Sequence, residues 1–232
     1  MEERRGTGPA EPVFDLPQPL VVIAAVLLGI HLARDFLPID LDNQILGLFA
    51  FIPDRYLAEV GPAAYPGGAG AAVWSFLSHA ALHGSWMHVL FNTVLLVAAG
   101  RPVVQRRGAV RFFVLAAAAA AGGAAVHLAV DWGSEVPMIG ASGVVFGVFG
   151  ALLRFAFVPW WQPRPSALGA LRVARVRNFI VALVLMNVIL VVFGSEPFGG
   201  DGGGVAWTAH LGGFLAGYLG FDLLDPPRHG HA

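Results

Sequence analysis

The stretch Gly140-Ala141-Ser142-Gly143-Val144-Val145-Phe146-Gly147-Val148-Phe149-Gly150 opens an apolar run that extends to Val158 with Arg154 as its one charged interruption. A run of this length and character suits a helix that crosses a lipid bilayer, where about 20 apolar residues span the hydrocarbon. Its glycines, Gly143, Gly147 and Gly150, include the small-xxx-small spacing that lets helix backbones approach closely in a membrane. The polar side chain in it, Ser142, falls at the first turn. Taken alone, Gly-Ala-Ser-Gly is a helix-packing sequence, and a lone serine in such a helix usually bonds back to its own backbone.

Composition supports the membrane assignment. The 232 residues are 56% hydrophobic and 12% charged, against roughly a quarter charged in soluble globular chains. No cysteine is present, so disulfides and thiolate metal sites are excluded. Lysine is absent too, and a formal net charge of -1 gives no reason to expect nucleic acid as a partner. No metal or other cofactor is called for.

Six segments are long and apolar enough to be read as spanning helices: 20–37, 86–104, 109–130, 141–158, 179–193 and 205–224. Arg101 and Pro102 interrupt the second near its inner end. Residues 38–85 form a long first loop with apolar patches too short to span, expected to lie in or on the membrane interface. The expected organisation is one domain over 20–224 between a polar tail, 1–19, and a second tail, 225–232. The first apolar run lacks a small-residue cleavage site and reads as a retained helix.

Loops rich in Arg stay on the cytoplasmic side. All arginines except Arg34 and Arg55 lie in the two tails or flank the second and fourth loops, while the third and fifth loops hold none. Both termini are therefore expected inside, and the second, fourth and sixth helices all start at the outer face. At those starts stand His88 and Asn92, Ser142, and His210. His88 and Asn92 are four apart, on one helical face. Each polar group costs on the order of 1 to 3 kcal/mol if buried unpaired, so mutual pairing at this shared depth is the expected solution. Serine beside neutral imidazole makes a nucleophile and general base. His88, Asn92 and the Ser142 backbone N–H, at a helix N-terminus, would point donors at a developing oxyanion. On the sixth helix Gly213 and Gly217 share a face with His210, as Phe146 does with Ser142 on the fourth. A close approach of these two helices would pack the Phe146 ring on His210.

The ordered set His88-x-x-x-Asn92, Gly140-x-Ser142-Gly143 and Ala209-His210-x-x-Gly213-x-x-x-Gly217 resembles the rhomboid intramembrane serine proteases, over nearly the whole chain. The resemblance implies an all-α bundle of six transmembrane helices with a long interfacial first loop. It implies a Ser142–His210 dyad without a third acidic member, cleaving transmembrane protein substrates in or near their membrane segment. It further implies a water-accessible cavity opening to the extracytoplasmic side, and movement of the fifth helix and fifth loop to admit substrate. Two positions depart from the family pattern. Trp74-Ser75 stands where a Trp-Arg pair is frequent, and Phe146 where tyrosine is frequent.

His79 and His83, four apart, lack a suitable third ligand and are expected to tie the first loop to the second helix by hydrogen bonds. The resemblance places histidines there as well. His31 and His127 are expected at the interface, and Asp201 in solvent. A catalytically silent rhomboid-like protein that binds membrane clients is the main alternative, and it would be expected to lack Ser142 or His210. A transporter or proton relay would be expected to show acidic residues in its spans. A soluble hydrolase would show a Gly-x-Ser-x-Gly elbow after a strand. Lysine-free, Ala- and Gly-rich composition, without an organellar targeting segment, suggests a bacterial inner (plasma) membrane.

Overall fold

A computed structural model describes residues 16–159, 164–193 and 204–225. Most of both expected tails, and Asp201, lie outside the described residues. The described chain is helical, with one isolated β-bridge between Phe51 and Met138. Its helices are α1 Gln18–Asp35, α2 Ile39–Phe49, α3 Gly68–Ser78, α4 Trp86–Val130, α5 Ser142–Leu153, α6 Ala167–Ala170, α7 Ala174–Phe193 and α8 Trp207–Leu224. Of these, α1, α4 and α7 are long and apolar enough to cross a membrane. The outward side of α7 leaves Val184, Leu185, Val188 and Val192 about half exposed or more, a surface suited to lipid and not to water. The chain is a multi-pass membrane protein.

Several boundaries differ from the expectation. The second and third expected helices are numbered together as α4 but remain two helices, joined at Gly108, where φ is 76° and ψ 171°. Arg101 and Pro102 do not end the second helix; it continues to that junction. A proline inside a helix removes one backbone donor, whereas the positive φ at Gly108 redirects the chain at a residue with no Cβ to oppose it. Helix α5 stops at Leu153, short of Val158, and its 12 residues extend only about 18 Å at 1.5 Å per residue. It can be short because nine of its 12 residues are buried by protein. The first loop is more regular than expected. It contains two helices, α2 and α3, of 11 residues each; Asp40 and Asp42 in the first turn of α2 complement the positive end of its dipole.

Three helices make the centre. Val89, Leu96 and Leu115 of α4, Val144 and Val148 of α5, and Phe221 of α8 share one buried apolar cluster. Helix α8 is drawn against both neighbours by glycine. A Cβ at Gly212 would collide with the Gly122 carbonyl of α4, and Cβ atoms at Gly213 and Gly217 would collide with the Gly143 and Gly147 carbonyls of α5. The bundle end far from Ser142 is tied by charge. Arg154 is fully buried and donates to the Tyr218 carbonyl at 2.7 Å, the Pro165 carbonyl at 3.1 Å and Asp222 at 2.7 Å. Arg164 also pairs with Asp222, and Arg106 and Arg107 pair with Asp225. An arginine fork suits several acceptors at once.

Arg55 anchors the first loop. Fully buried, it donates to the Gly47 and Pro66 carbonyls at 2.5 and 3.2 Å and lies over the Tyr65 ring at 5.2 Å. Trp74 donates to the Leu48 carbonyl at 2.8 Å, and Ser75 is buried within 3.4 Å of the Tyr56 hydroxyl.

Candidate active site

Ser142 is the first residue of α5, so its backbone N–H and that of Gly143 have no acceptor within the helix. Gly140, two residues earlier, has φ 118°, a region that favours glycine. A Cβ there would also stand 2.7 Å from His88 Nε2 and 3.8 Å from Asn92 Nδ2. The glycine thus lets the chain pass directly beneath both side chains of α4. Asn92 is 5% exposed, and its Nδ2 is a buried donor without a partner among the described residues. Buried donors of this kind are rare in folded proteins.

From α8, the imidazole of His210, also 5% exposed, brings Nε2 to 2.8 Å from Ser142 Oγ. The Gly213–Gly143 and Gly217–Gly147 contacts allow this approach, since any side chain there would hold α8 away from α5. The Phe146 ring lies flat on the imidazole, centroids 4.3 Å apart and planes 4° from parallel. Ser142, His210, Phe146, Gly140, Gly143, Gly213, Gly217, His88 and Asn92 therefore come together in one region.

The histidines of the first loop act differently from the expectation. His83 Nε2 accepts the Ala141 N–H at 3.2 Å, and the His79 carbonyl accepts the Gly140 N–H at 3.0 Å. These bonds tie the first loop to the segment that presents Ser142, with His83 also meeting the His88 ring edge-on at 4.9 Å. Burial, chiefly, pushes both imidazoles down to about 3, so they are neutral and His83 can offer a lone pair to the amide. His31 and His127 are buried among protein side chains, 7% and 8% exposed. His31 packs against Trp86 at 4.7 Å. His127 Nδ1 lies 2.8 Å from Thr208 Oγ1 and 2.9 Å from Asp131 Oδ2, which joins the end of α4 to the start of α8.

One residue at the site belongs to none of the motifs visible in the sequence. Asn187 of α7 places Oδ1 2.6 Å from His210 Nδ1. The signal that could have found it is an amide in the otherwise apolar stretch 179–193, where polar side chains are functional candidates. Asn187 and His210 also border an apolar groove of about 600 Å³ between α7 and α8, lined by Phe146, Leu183, Val184, Leu211 and Phe214 among others.

Fold and site together define a polytopic helical membrane protein with a serine and a histidine paired at the adjoining starts of two central helices. The Rhomboid domain family model matches residues 70–224, and the chain belongs to the rhomboid family. It is 32% identical over 161 residues to RHOMBOID-like protein 5 of Arabidopsis thaliana, covering 68% of this chain and 46% of that protein. Similarity to RHOMBOID-like protein 4 of the same plant is 32% over 203 residues, 82% of this chain and 47% of that protein. Similarity to Rhomboid protease GluP of Bacillus subtilis is 27% over 157 residues, 68% of this chain and 27% of that protein. The chain thus spans about half the length or less of these relatives.

Proposed function

We propose that this protein is an intramembrane serine endopeptidase that cleaves membrane-anchored proteins in or near their transmembrane segment. The observation that carries the reading is the 2.8 Å contact between Ser142 Oγ and His210 Nε2, in the same region as Asn92 Nδ2, which has no partner among the described residues. In this mechanism His210 Nε2 takes the hydroxyl proton as Ser142 Oγ attacks the scissile carbonyl carbon. The negative charge formed on the carbonyl oxygen is met by the Ser142 N–H, Asn92 Nδ2 and His88, donors already in position before charge develops. The same imidazole then gives its proton to the departing amine, and a water molecule repeats the sequence on the acyl-enzyme. The Phe146 ring keeps the imidazole plane fixed throughout.

In this reading the polypeptide crosses the membrane six times, counting the two parts of α4 on either side of Gly108 separately, with α5 and α8 buried in the middle. Both termini are cytoplasmic, and the site opens to the extracytoplasmic side of a plasma membrane. The arginine pattern supports this orientation, because Arg106, Arg107, Arg154 and Arg164 gather with Asp222 and Asp225 at the end away from Ser142.

The test is reconstitution of the full chain in lipid vesicles with a single-pass reporter substrate. Two fragments are expected from the parent and none from Ser142→Ala. Undiminished cleavage by Ser142→Ala would defeat the proposal. In the same assay Asn92→Ala is expected to lower turnover by about 10²- to 10³-fold, less if the remaining donors compensate. Parental turnover would remove Asn92 from the oxyanion site.

A further inference from the structure

The side of His210 that faces away from Ser142 is occupied by a neutral amide. We infer that Asn187 is a positioning residue for the reaction, holding the His210 imidazole in the tautomer that can act on Ser142. This rests on the serine-protease reading above. Asn187 Nδ2 donates to the Leu183 carbonyl at 2.9 Å, which fixes the amide so that Oδ1, an acceptor only, faces His210 Nδ1 at 2.6 Å. A neutral imidazole carries one proton, on either nitrogen. An acceptor at Nδ1 draws that proton there and leaves Nε2 with the lone pair needed to take the Ser142 proton. The same bond supports the imidazolium once formed, because Nδ1–H remains a donor throughout. The site is therefore a serine–histidine–asparagine series contributed by α5, α8 and α7.

The placement of Asn187 on α7 has a consequence for substrate admission. Helix α7 buries only Val176 and Leu183 among its described residues and forms one wall of the groove that reaches His210. Moving α7 away from α8 would separate Asn187 from His210, so the general base is fully oriented only when α7 is seated.

The experiment compares Asn187→Leu, Asn187→Asp and Ser142→Ala in the vesicle assay. Leucine keeps approximate size in an apolar setting and removes the acceptor; aspartate keeps an acceptor at the same reach. Asn187→Leu is expected to lower kcat about 10- to 100-fold, part of what a positioned general base contributes, with KM changed less than about twofold. Asn187→Asp is expected to restore most of that loss. In protein labelled with ¹⁵N-histidine, the His210 signal is expected to report the Nδ1–H tautomer in the parent and a mixture in Asn187→Leu. Parental kcat in Asn187→Leu, with Ser142→Ala inactive, would overturn the role of Asn187 and leave the protease reading standing. Equal kcat losses in the leucine and aspartate variants, with unchanged tautomer, would overturn it too. Cleavage by Ser142→Ala would instead overturn the protease reading itself.

Discussion

Ser142→Ala, His210→Ala and the double variant are expected to fall to the same floor, each losing about 10⁴-fold or more in turnover. In the proposed mechanism the two side chains pass one proton across their 2.8 Å contact, so removing either is expected to disable the other. A serine without its base is a poor nucleophile, and an imidazole without the serine has nothing to activate. Non-additivity is the informative part of the measurement. If the double variant lost the product of the two single losses, Ser142 and His210 would be acting independently. Because the bond given up is the single Ser142 Oγ contact to His210, and alanine is a good helix former at the first turn of α5, the alanine variant should retain near-parental thermal stability in detergent.

The second large effect is expected from a residue that never meets substrate. A Cβ at Gly217 would collide with the Gly147 carbonyl and approach Gly147 Cα to 2.8 Å. Backbone cannot yield as a flexible side chain can, so Gly217→Val must push α8 away from α5. Overpacking of cores commonly costs about 1 to 3 kcal/mol, and here the displaced helix carries His210. Gly217→Val is expected to lower the thermal midpoint by several degrees and to cut activity at least about 100-fold, since a misplacement of reacting groups by about 1 Å can cost that much. At Gly220, on the same helix, an added methyl group would meet nothing within 4 Å, so Gly220→Ala should leave both properties near parental. Equal behaviour of the two variants would show that the close approach of α5 and α8 does not set the site.

Much of this arrangement is legible in the sequence because membrane helices leave few options for polar groups. Ser142, His210, His88 and Asn92 each stand near the start of an apolar stretch, and arginine-based topology puts those starts at one level. The glycines at 143, 147, 213 and 217 then indicate which two helices touch. Other features depend on tertiary context. The helix boundary after Leu153 reflects capture of Arg154 by the Tyr218 and Pro165 carbonyls and Asp222, partners far along the chain. The order within the first loop depends on Arg55 reaching two carbonyls and an aromatic ring, although arginine in a loop ordinarily signals only charge. The position of His83 suggests a tie to the second helix, but its Nε2 faces the Ala141 amide, a distinction set by side-chain direction and not by spacing. Asn187 stands out in the sequence only as an amide in an apolar stretch; α7 carries none of the glycine motifs that reveal contact, so its pairing with His210 depends on the rotation of the helix about its own axis.

In the proposed mechanism Ser142 is a nucleophile made reactive by His210. The most direct measurement is treatment of the intact protein in vesicles with a fluorophosphonate, followed by mass analysis of the modified peptide. A single phosphonate adduct on Ser142 is expected, forming at a rate that drops at least about 100-fold in His210→Ala. An adduct on another residue, or labelling of Ser142 at the same rate with and without His210, would contradict that mechanism.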